Sequence, residues 1–190
     1  MTPRHFLFLV ASARLPGAVG NTEWLARQAA QNLPAGASAE WLFLNETDIG
    51  QFEDRRHVET GTYPMPEGGA RKLLDATLAA SDLVVVTPLY WYSFPNRLKL
   101  YLDHWSAWMR VPGLEFKARM ADKRVWAVTT SGNREKTQPM FDSLKLCAEF
   151  MAMRWQGALW GAGGAPGAIE KDAAAIAAAA HFFTADGTAA

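Results

Sequence analysis

The sequence predicts a three-layer, doubly wound α/β sandwich around one five-stranded parallel sheet with strand order 2-1-3-4-5. Two observations predict this fold. Short apolar, β-rich runs recur along the chain, and segments with helical spacing fill the intervals between them. Such alternation is typical of right-handed βαβ units. The 190 residues leave room for five strands with their helices, so we expect a single domain spanning residues 1–190.

The predicted strands are the apolar runs. The third run is nearly continuous in valine, as expected for a strand that is covered on both faces of a parallel sheet. The fifth run gives the weakest signal. In order, the strands are expected at Phe6–Val10, Ala39–Leu44, Asp82–Thr87, Arg124–Thr130 and Trp155–Trp160.

Apolar residues at helical spacing predict the intervening helices. These helices are expected at Glu23–Asn32, Glu67–Ala80, Pro95–Trp108, Pro139–Met153 and Ile169–Thr184. Three segments remain without such a pattern. Residues 48–69 are expected to form an irregular surface insertion, residues 161–167 a glycine-rich loop, and residues 187–190 a frayed end.

Charge and hydropathy exclude several classes of function. Lysine and arginine together number 19, as do aspartate and glutamate, so the formal net charge is zero. This balance gives no electrostatic case for binding nucleic acid or an acidic membrane surface. No apolar window approaches the roughly 18 residues of a membrane span. The first apolar run is short for a signal peptide, so we interpret it as a strand and expect a cytoplasmic protein without membrane insertion.

Cysteine usage narrows the chemistry further. Cys147 is the only cysteine, which rules out an internal disulfide and a cysteine-ligated metal cluster. We expect no metal site. Apolar residues surround Cys147 in the sequence, so a buried structural thiol is its expected role.

The junction between the first strand and the first helix has the features of an anion site. The first N–H groups of a helix lack intrahelical partners and carry partial positive charge. The Ser12 and Thr22 hydroxyls and the Arg14 guanidinium can add hydrogen bonds, and Gly20-Asn21 precedes the helix. No Walker motif is present. The alternative is that Asn21 or Thr22 only caps the helix.

Two more loops follow strands at the same edge of the predicted sheet. The loop after the valine-rich strand carries Tyr90, Trp91 and Tyr92 between two prolines, and suits a planar ring. The loop after the fourth strand offers backbone N–H groups around Gly132 to a polar ring edge. The three loops together describe a site for a mononucleotide with a wide heterocycle. The alternatives are packing of the aromatic residues on a helix or subunit, and a plain turn at residues 131–133.

Two strings carry a family resemblance. ASARLPGAVGNTEWLA resembles the phosphate loop of the NAD(P)H-dependent FMN reductase and quinone reductase families, and TPLYWYSFPNRLKLYLD resembles their second flavin loop. GAPGAIEKD is similar to their final loop. Ala13 stands where proline is common, and Tyr92 where glycine is common. The stretch NETDIGQFEDRRH lacks the cysteine cluster of the related iron–sulfur flavoproteins, which excludes that subgroup.

The resemblance implies a flavodoxin-like fold, FMN as cofactor and NADH or NADPH as co-substrate. At the phosphate, the expected cofactor-binding residues are Ser12, Arg14, Gly20, Asn21 and Thr22. Along the isoalloxazine ring, largely through backbone groups, they are Pro88, Leu89, Tyr90, Trp91 and Tyr92. At the pyrimidine edge they are Thr130, Ser131 and Gly132.

The expected activity is ping-pong hydride transfer from NAD(P)H through FMN to a quinone or similar electrophilic small molecule. No side-chain catalyst is required, although Tyr90, Tyr92 and His104 are candidates to protonate the acceptor. The alternatives are a flavodoxin-type electron carrier, which the zero net charge disfavours, and a non-catalytic flavin-binding partner or sensor. A homodimer is expected, with Trp105 and Trp108 either at its interface or on the core face of their helix.

Overall fold

The fold rests on one parallel five-stranded sheet with helices on both faces. The structure is a computed structural model that describes residues 3–15, 17–58 and 60–184. The strand order is β2-β1-β3-β4-β5 and all paired strands are parallel, which confirms the predicted architecture. The strands are β1 (His5–Val10), β2 (Ser38–Phe43), β3 (Asp82–Val86), β4 (Arg124–Ser131) and β5 (Arg154–Ala162).

The helices fill the intervals between the strands. Those described are α1 (Asn21–Ala30), α2 (Gly68–Ala79), α3 (Asn96–Trp108), α4 (Phe116–Met120), α5 (Gln138–Phe150) and α6 (Ala173–Ala179). Short 3-10 turns precede α5 and α6 at Glu135–Thr137 and Ala168–Lys171. The five-residue helix α4 was not predicted, because it is too short to show a periodic pattern.

The predicted final helix over residues 169–184 is wrong in its length and continuity. Gly167 lies at φ 78°, a left-handed conformation, and a 3-10 turn follows it. The Asp172 side chain then accepts a hydrogen bond from the Ala175 N–H and caps α6. An N-cap residue has non-helical backbone angles, so Asp172 separates the two turns.

The core has two halves, one on each face of the sheet. Side chains alternate along β1, so Leu7 and Leu9 enter one cluster and Phe6 and Phe8 the other. Trp105 and Trp108 are both buried in the cluster that contains Leu7. Of the two alternatives for this pair, the structure therefore supports the core face of α3.

The segment from residue 48 to α2 contains no helix or strand among its described residues. Its two ends approach closely: a Cβ at Gly69 would lie 2.0 Å from the Asp48 carbonyl oxygen, so only glycine fits there. Phe52 and Tyr63 stack within the segment at 6.4 Å between ring centroids. The expected frayed end at 187–190 lies outside the described residues.

Cys147 is partly rather than fully buried on α5, which corrects the sequence expectation. Partial burial raises the pKa of its thiol. Within the described ranges, no helix is both long and apolar enough to cross a membrane. No group of three or more His, Cys, Asp or Glu side chains in that part of the chain is arranged to hold a metal ion.

Candidate functional site

A cleft of about 350 Å³ opens at the carboxyl ends of β1, β3 and β4. Ligands bind at this edge in doubly wound sheets, where the strand order reverses. The cleft collects eleven of the thirteen expected cofactor-binding residues. The lining residues are Val10, Ser12, Arg14, Gly20, Asn21, Thr22, Glu23, Val86, Pro88, Leu89, Tyr90, Thr130, Ser131, Gly132, Gly163 and Gly164.

The start of α1 forms one end of the cleft. The first intrahelical hydrogen bond runs from Trp24 N to Gly20 O at 2.9 Å, so three N–H groups, at residues 21–23, precede the helical ladder. Gly20 is the N-cap residue. The alternative in which Asn21 or Thr22 caps the helix is therefore wrong, because both lie inside its first turn. The free N–H groups and the helix dipole make this end suitable for an anion.

The side chains of Asn21 and Thr22 instead hold neighbouring loops against α1. Asn21 Nδ2 donates to Ala165 O at 3.0 Å, and its Oδ1 accepts from Gly167 N at 2.9 Å. The Thr22 and Thr130 hydroxyl oxygens are 2.7 Å apart. These bonds connect the end of β4 and the loop after β5 to the first turn of α1.

Arg14 crosses the entrance of the anion end. A Cβ at Gly20 would lie 2.7 Å from Arg14 Nε, so the absence of a side chain at Gly20 lets the guanidinium stem lie over the helix start. The Arg14 N–H donates to Ser12 Oγ at 3.2 Å, which fixes the turn between these residues. Asn45 Nδ2 donates to Ser12 O at 2.5 Å from the loop after β2. The Arg14 guanidinium, from the loop after β1, and the free N–H groups of α1 therefore lie at the same end of the cleft.

Glu23 is a lining residue that the sequence interpretation missed. Its side chain is 5% exposed and paired with Arg27, with an Nε–Oε1 distance of 2.9 Å. The Arg27 guanidinium lies 4.7 Å from the centroid of the Trp41 ring. A carboxylate beside an anion site is unfavourable unless it is neutralised, and Arg27 supplies the compensating charge. The i, i+4 spacing of the two residues was the available sequence signal.

The aromatic loop after β3 is a strained turn. Tyr90 and Ser93 exchange two backbone hydrogen bonds of 3.1 and 3.0 Å, while Trp91 and Tyr92 adopt φ values of 51° and 62°. Such left-handed angles are costly for bulky residues, which explains why glycine is common at the position of Tyr92 in the resembling families. Tyr90 lines the cleft. Trp91, which is 93% exposed, and Tyr92 are not among the residues that line the cleft.

The loops after β4 and β5 close the other end of the cleft. Gly163 N donates to Ser131 O at 2.9 Å, and a Cβ at Gly163 would lie 2.8 Å from Thr130 Cβ. Glycine is required for this approach. Gly163 and Gly164 were expected in a loop but not assigned to the site, although the loop after β5 ends at the same sheet edge. The Ser131 side chain at this end of the cleft accepts a hydrogen bond from Trp160 Nε1 of β5 at 2.9 Å.

Asp172 anchors the loop after β5. Its carboxylate accepts from Ala162 N at 2.7 Å and from Ala175 N at 3.0 Å. These backbone donors, that of Ala162 first, hold the pKa of the Asp172 carboxyl below its usual range. The charged form therefore ties the end of β5 to the start of α6.

Of the three candidate proton donors, only Tyr90 lines the cleft. His104 lies in a different groove, beside Phe52 at 5.9 Å between ring centroids and with Nε2 3.4 Å from Gly50 O. Within one chain, the structure does not bring His104 to the cleft.

The class of protein is defined by comparison with known sequences. The profile of the flavodoxin-like fold family matches residues 4–183, so the chain belongs to this family. Over 167 residues it is 32% identical to YwqN of Bacillus subtilis (strain 168), which is named for a proposed NAD(P)H-dependent, FMN-containing oxidoreductase activity. That match covers 86% of this chain and 90% of the relative. The family resemblance read from the sequence strings is confirmed.

Solved structures show the same fold. The Trp repressor binding protein from Bacillus subtilis superposes with a TM-score of 0.72 at 25% identity, covering 94% of this chain and 96% of that one. An apo NADH:FMN oxidoreductase (EMOB) superposes with a TM-score of 0.66 at 13% identity, covering 95% and 87%. The azoreductase AzrA gives 0.62 at 15%, covering 93% and 95%. At these low identities the last two establish the fold alone.

Proposed function

We propose that this chain is an NAD(P)H-dependent oxidoreductase that binds FMN in the cleft. The name of the Bacillus subtilis relative supports the cofactor and the co-substrate. The observation that carries the proposal is the convergence of three loops on one cleft: an anion end at α1, an apolar wall at Pro88–Tyr90 and a polar edge at Thr130–Gly132. FMN carries a phosphate, a planar ring and a polar ring edge in the same order, so each part of the cofactor would meet the matching part of the cleft.

The residues present fit the cofactor. The N–H groups at the start of α1, Arg14 and the hydroxyls of Ser12 and Thr22 would hold the phosphate. There is open space beside Gly132: a Cβ built on this residue would have the Gly163 carbonyl oxygen, 4.0 Å away, as its nearest neighbour. A cleft of about 350 Å³ lies within the usual range for small-molecule sites.

The protein's part in the reaction is to bind, orient and stabilise charge. When bound, FMN would supply the hydride-transfer chemistry between NAD(P)H and the acceptor. Pro88 and Leu89 form a rigid apolar wall that limits the positions of a ring. Backbone N–H groups near Gly132 stabilise negative charge at the pyrimidine edge, as donors in an oxyanion hole do. Tyr90 is the proton-donor candidate that the cleft geometry supports.

We propose a quinone or a similar electrophilic small molecule as acceptor. Tyr90 is 44% exposed at the mouth of the cleft, so a second planar molecule has an aromatic surface to approach. The single free thiol of Cys147 is consistent with a reducing, cytoplasmic setting, which we propose for the protein.

We also propose a homodimer that forms through the face shared by α3 and α5. Leu146 and Phe150 are exposed there beside Leu102 and Met109, an apolar surface typical of an interface. Leu146→Glu is expected to convert the dimer to monomer in sedimentation equilibrium, and Lys145→Glu, an exposed neighbour, is the control. A wild-type monomer, or a dimer that persists in Leu146→Glu, contradicts this interface.

The decisive experiment is anaerobic stopped-flow mixing of FMN-loaded protein with NADH or NADPH. Rapid bleaching of the flavin absorbance, followed by reoxidation on adding a quinone, is the expected result. Bound FMN that neither nucleotide reduces would favour an electron carrier or a sensor instead. A purified protein that takes up no FMN would overturn the cofactor assignment itself.

A further inference from the structure

A second groove crosses the free edge of the sheet at β5. It encloses about 420 Å³ and shares no lining residue with the cleft. We call it the edge groove. Its lining residues come from β4, the start of α5, β5 and the end of α6. They are Trp126, Arg134, Thr137, Gln138, Phe141, Trp155 to Trp160, Ala178, His181 and Phe182.

A β-bulge in β5 opens the edge groove. The pairing passes from Val125 opposite Trp155 to Ala127 opposite Ala158, so two residues of β5, 156 and 157, face a single residue of β4, Trp126. Gly157 adopts φ 107°, a value that favours glycine. A bulge bends its strand and interrupts the ladder, and bulges are recurrent features near binding sites.

The walls of the edge groove are aromatic on both faces of the sheet. Phe141 belongs to the core cluster on the α5 side, whereas Trp126 and Leu159 belong to the cluster on the α6 side. Trp155, Trp160 and Phe182 are only partly buried and border the open space. A planar ring would find stacking partners here.

The charged or titratable side chains that line the edge groove are all basic. Arg134 and His181 are its charged or titratable residues, both with exposed side chains, and none of the described residues that line it is Asp or Glu. Within the described chain, the Arg134 guanidinium makes no ion pair. The nearby Asp142 carboxylate already accepts from Gln138 Nε2 at 2.7 Å. A free guanidinium beside aromatic walls is complementary to an anion carried on a ring.

We propose that the edge groove is a binding site for a small planar aromatic anion, a ring system that carries a carboxylate or a sulfonate. The ring stacks between the aromatic walls and the anionic group pairs with Arg134. The volume lies in the range of small-molecule sites. Strand addition by a peptide is less suited to this edge, because the bulge interrupts the row of N–H and C=O groups that an added strand needs.

The test uses 8-anilinonaphthalene-1-sulfonate, a fluorescent aromatic anion, as the probe. The full chain is titrated with and without saturating FMN, and we expect one saturable site whose affinity FMN does not change. Ala178→Trp fills the groove from the exposed face of α6, and Ala177→Trp, equally exposed but outside the lining, is its control. We expect Ala178→Trp to weaken probe binding at least about tenfold, and Ala177→Trp to leave it unchanged.

Charge is tested by a second matched pair. Arg134→Glu is expected to weaken the probe about tenfold or more, as loss of a charge-assisted bond implies. Lys136→Glu makes the same charge change two residues away and is expected to have little effect. N-phenyl-1-naphthylamine, which lacks the sulfonate, should bind about tenfold more weakly than the anionic probe to the unmodified chain. Urea midpoints confirm that each variant is folded.

Three results overturn the proposal. The first is equal probe affinity in Ala178→Trp, Arg134→Glu and their controls. The second is displacement of the probe by FMN, which would locate it in the cleft. The third is a dimer that Ala178→Trp alone converts to monomer while probe binding persists, since a second copy of the chain would then occupy the edge groove.

Discussion

Polar groups at the amino ends of the strands differ from those at the carboxyl ends in whether they have partners inside the protein. At the amino end, the fully buried Asp82 carboxylate accepts from Arg4 Nε at 3.1 Å, Ser81 Oγ at 2.7 Å and Trp126 Nε1 at 2.9 Å. Arg124 adds a second guanidinium at 3.8 Å. Together with a fourth hydrogen bond, from Arg4 Nη2 to Oδ1, these donors occupy both oxygens of the carboxylate, so this end has no acceptor left for a ligand.

At the carboxyl end, donors are left free. Three N–H groups of α1 precede the helical ladder, and Arg14 lies exposed above them. The glycines at 132, 163 and 164 leave backbone open along the opposite wall. At the amino ends of the strands, which we call the closed end, polar groups are paired with partners inside the protein. At the carboxyl ends, the open end, hydrogen-bond donors remain free for a bound molecule. Substitutions at the two ends should therefore affect different measurements.

The largest expected effect is on stability, from Asp82→Ala at the closed end. Loss of the carboxylate leaves Arg4 and Trp126 Nε1 without their acceptor, and breaking a buried pair in this way costs about 3–5 kcal/mol of unfolding free energy. Urea denaturation measures it. Asp75→Ala removes an exposed carboxylate that pairs with Arg71 and should cost below about 1 kcal/mol. Equal costs for the two variants would contradict the contrast between buried and exposed pairs.

The next effect is on ligand affinity, from Arg14→Ala at the open end. Loss of a charge-assisted hydrogen bond to a phosphate weakens binding by about 10- to 100-fold, while the urea midpoint stays unchanged. FMN fluorescence quenching measures the affinity. Thr22→Val should also weaken FMN binding, because it removes the hydroxyl that faces Thr130. Arg71→Ala is the control, and unchanged FMN affinity in both cleft variants would refute the anion site.

A smaller effect separates two adjacent glycines. Gly163→Ala brings a Cβ to 2.8 Å from Thr130 Cβ and displaces the loop, at a cost of about 1–3 kcal/mol and with weaker FMN binding. A Cβ in Gly164→Ala meets no protein atom within 4 Å, so this variant should leave the free energy of unfolding unchanged. Neither glycine has a left-handed φ, so close approach alone distinguishes them. The same outcome for both would show that the approach to Thr130 is unimportant.

The smallest effect is pH-dependent and concerns Asp172. Its pKa is lowered in the folded state, so the charged carboxylate contributes stability above its ordinary pKa of about 4, and this is lost as pH falls through the folded pKa. Asp172→Asn should lower Tm by less than about 3 °C at pH 7. The difference from the unmodified chain should disappear in acid. A difference in Tm that does not shrink as pH falls would contradict the charge argument.

Sequence reasoning predicted the sheet and most of the cleft because both depend on local patterns. Each strand is an apolar run, and each site loop directly follows a strand, so topology alone brings Ser12, Pro88 and Thr130 together. Helix boundaries were less predictable. The break at Asp172 depends on bonds to Ala162 and Ala175, and the start of α1 at Asn21 depends on loops from β4 and β5.

Side-chain direction was the part that the sequence could not supply. Trp91 and Tyr92 are expected along the ring largely through their backbone groups; their side chains are exposed, their backbone angles are left-handed, and neither residue lines the cleft. His104 was a candidate because of its residue type, yet its helix directs it to Phe52 and Gly50. The edge groove depends on a bulge at Gly157; a glycine inside a strand is a sequence signal of a bulge, but the register shift and the groove it opens depend on pairing with β4.

The bonds made by Asn21 and Thr22 have a consequence for biogenesis. They join positions that are 144 and 108 residues apart along the chain. During synthesis, α1 leaves the ribosome long before Ala165 and Gly167, the residues that Asn21 contacts, so the cleft can form only after both segments have emerged. A nascent or truncated chain that ends before Gly163 should therefore bind no FMN and remain colourless.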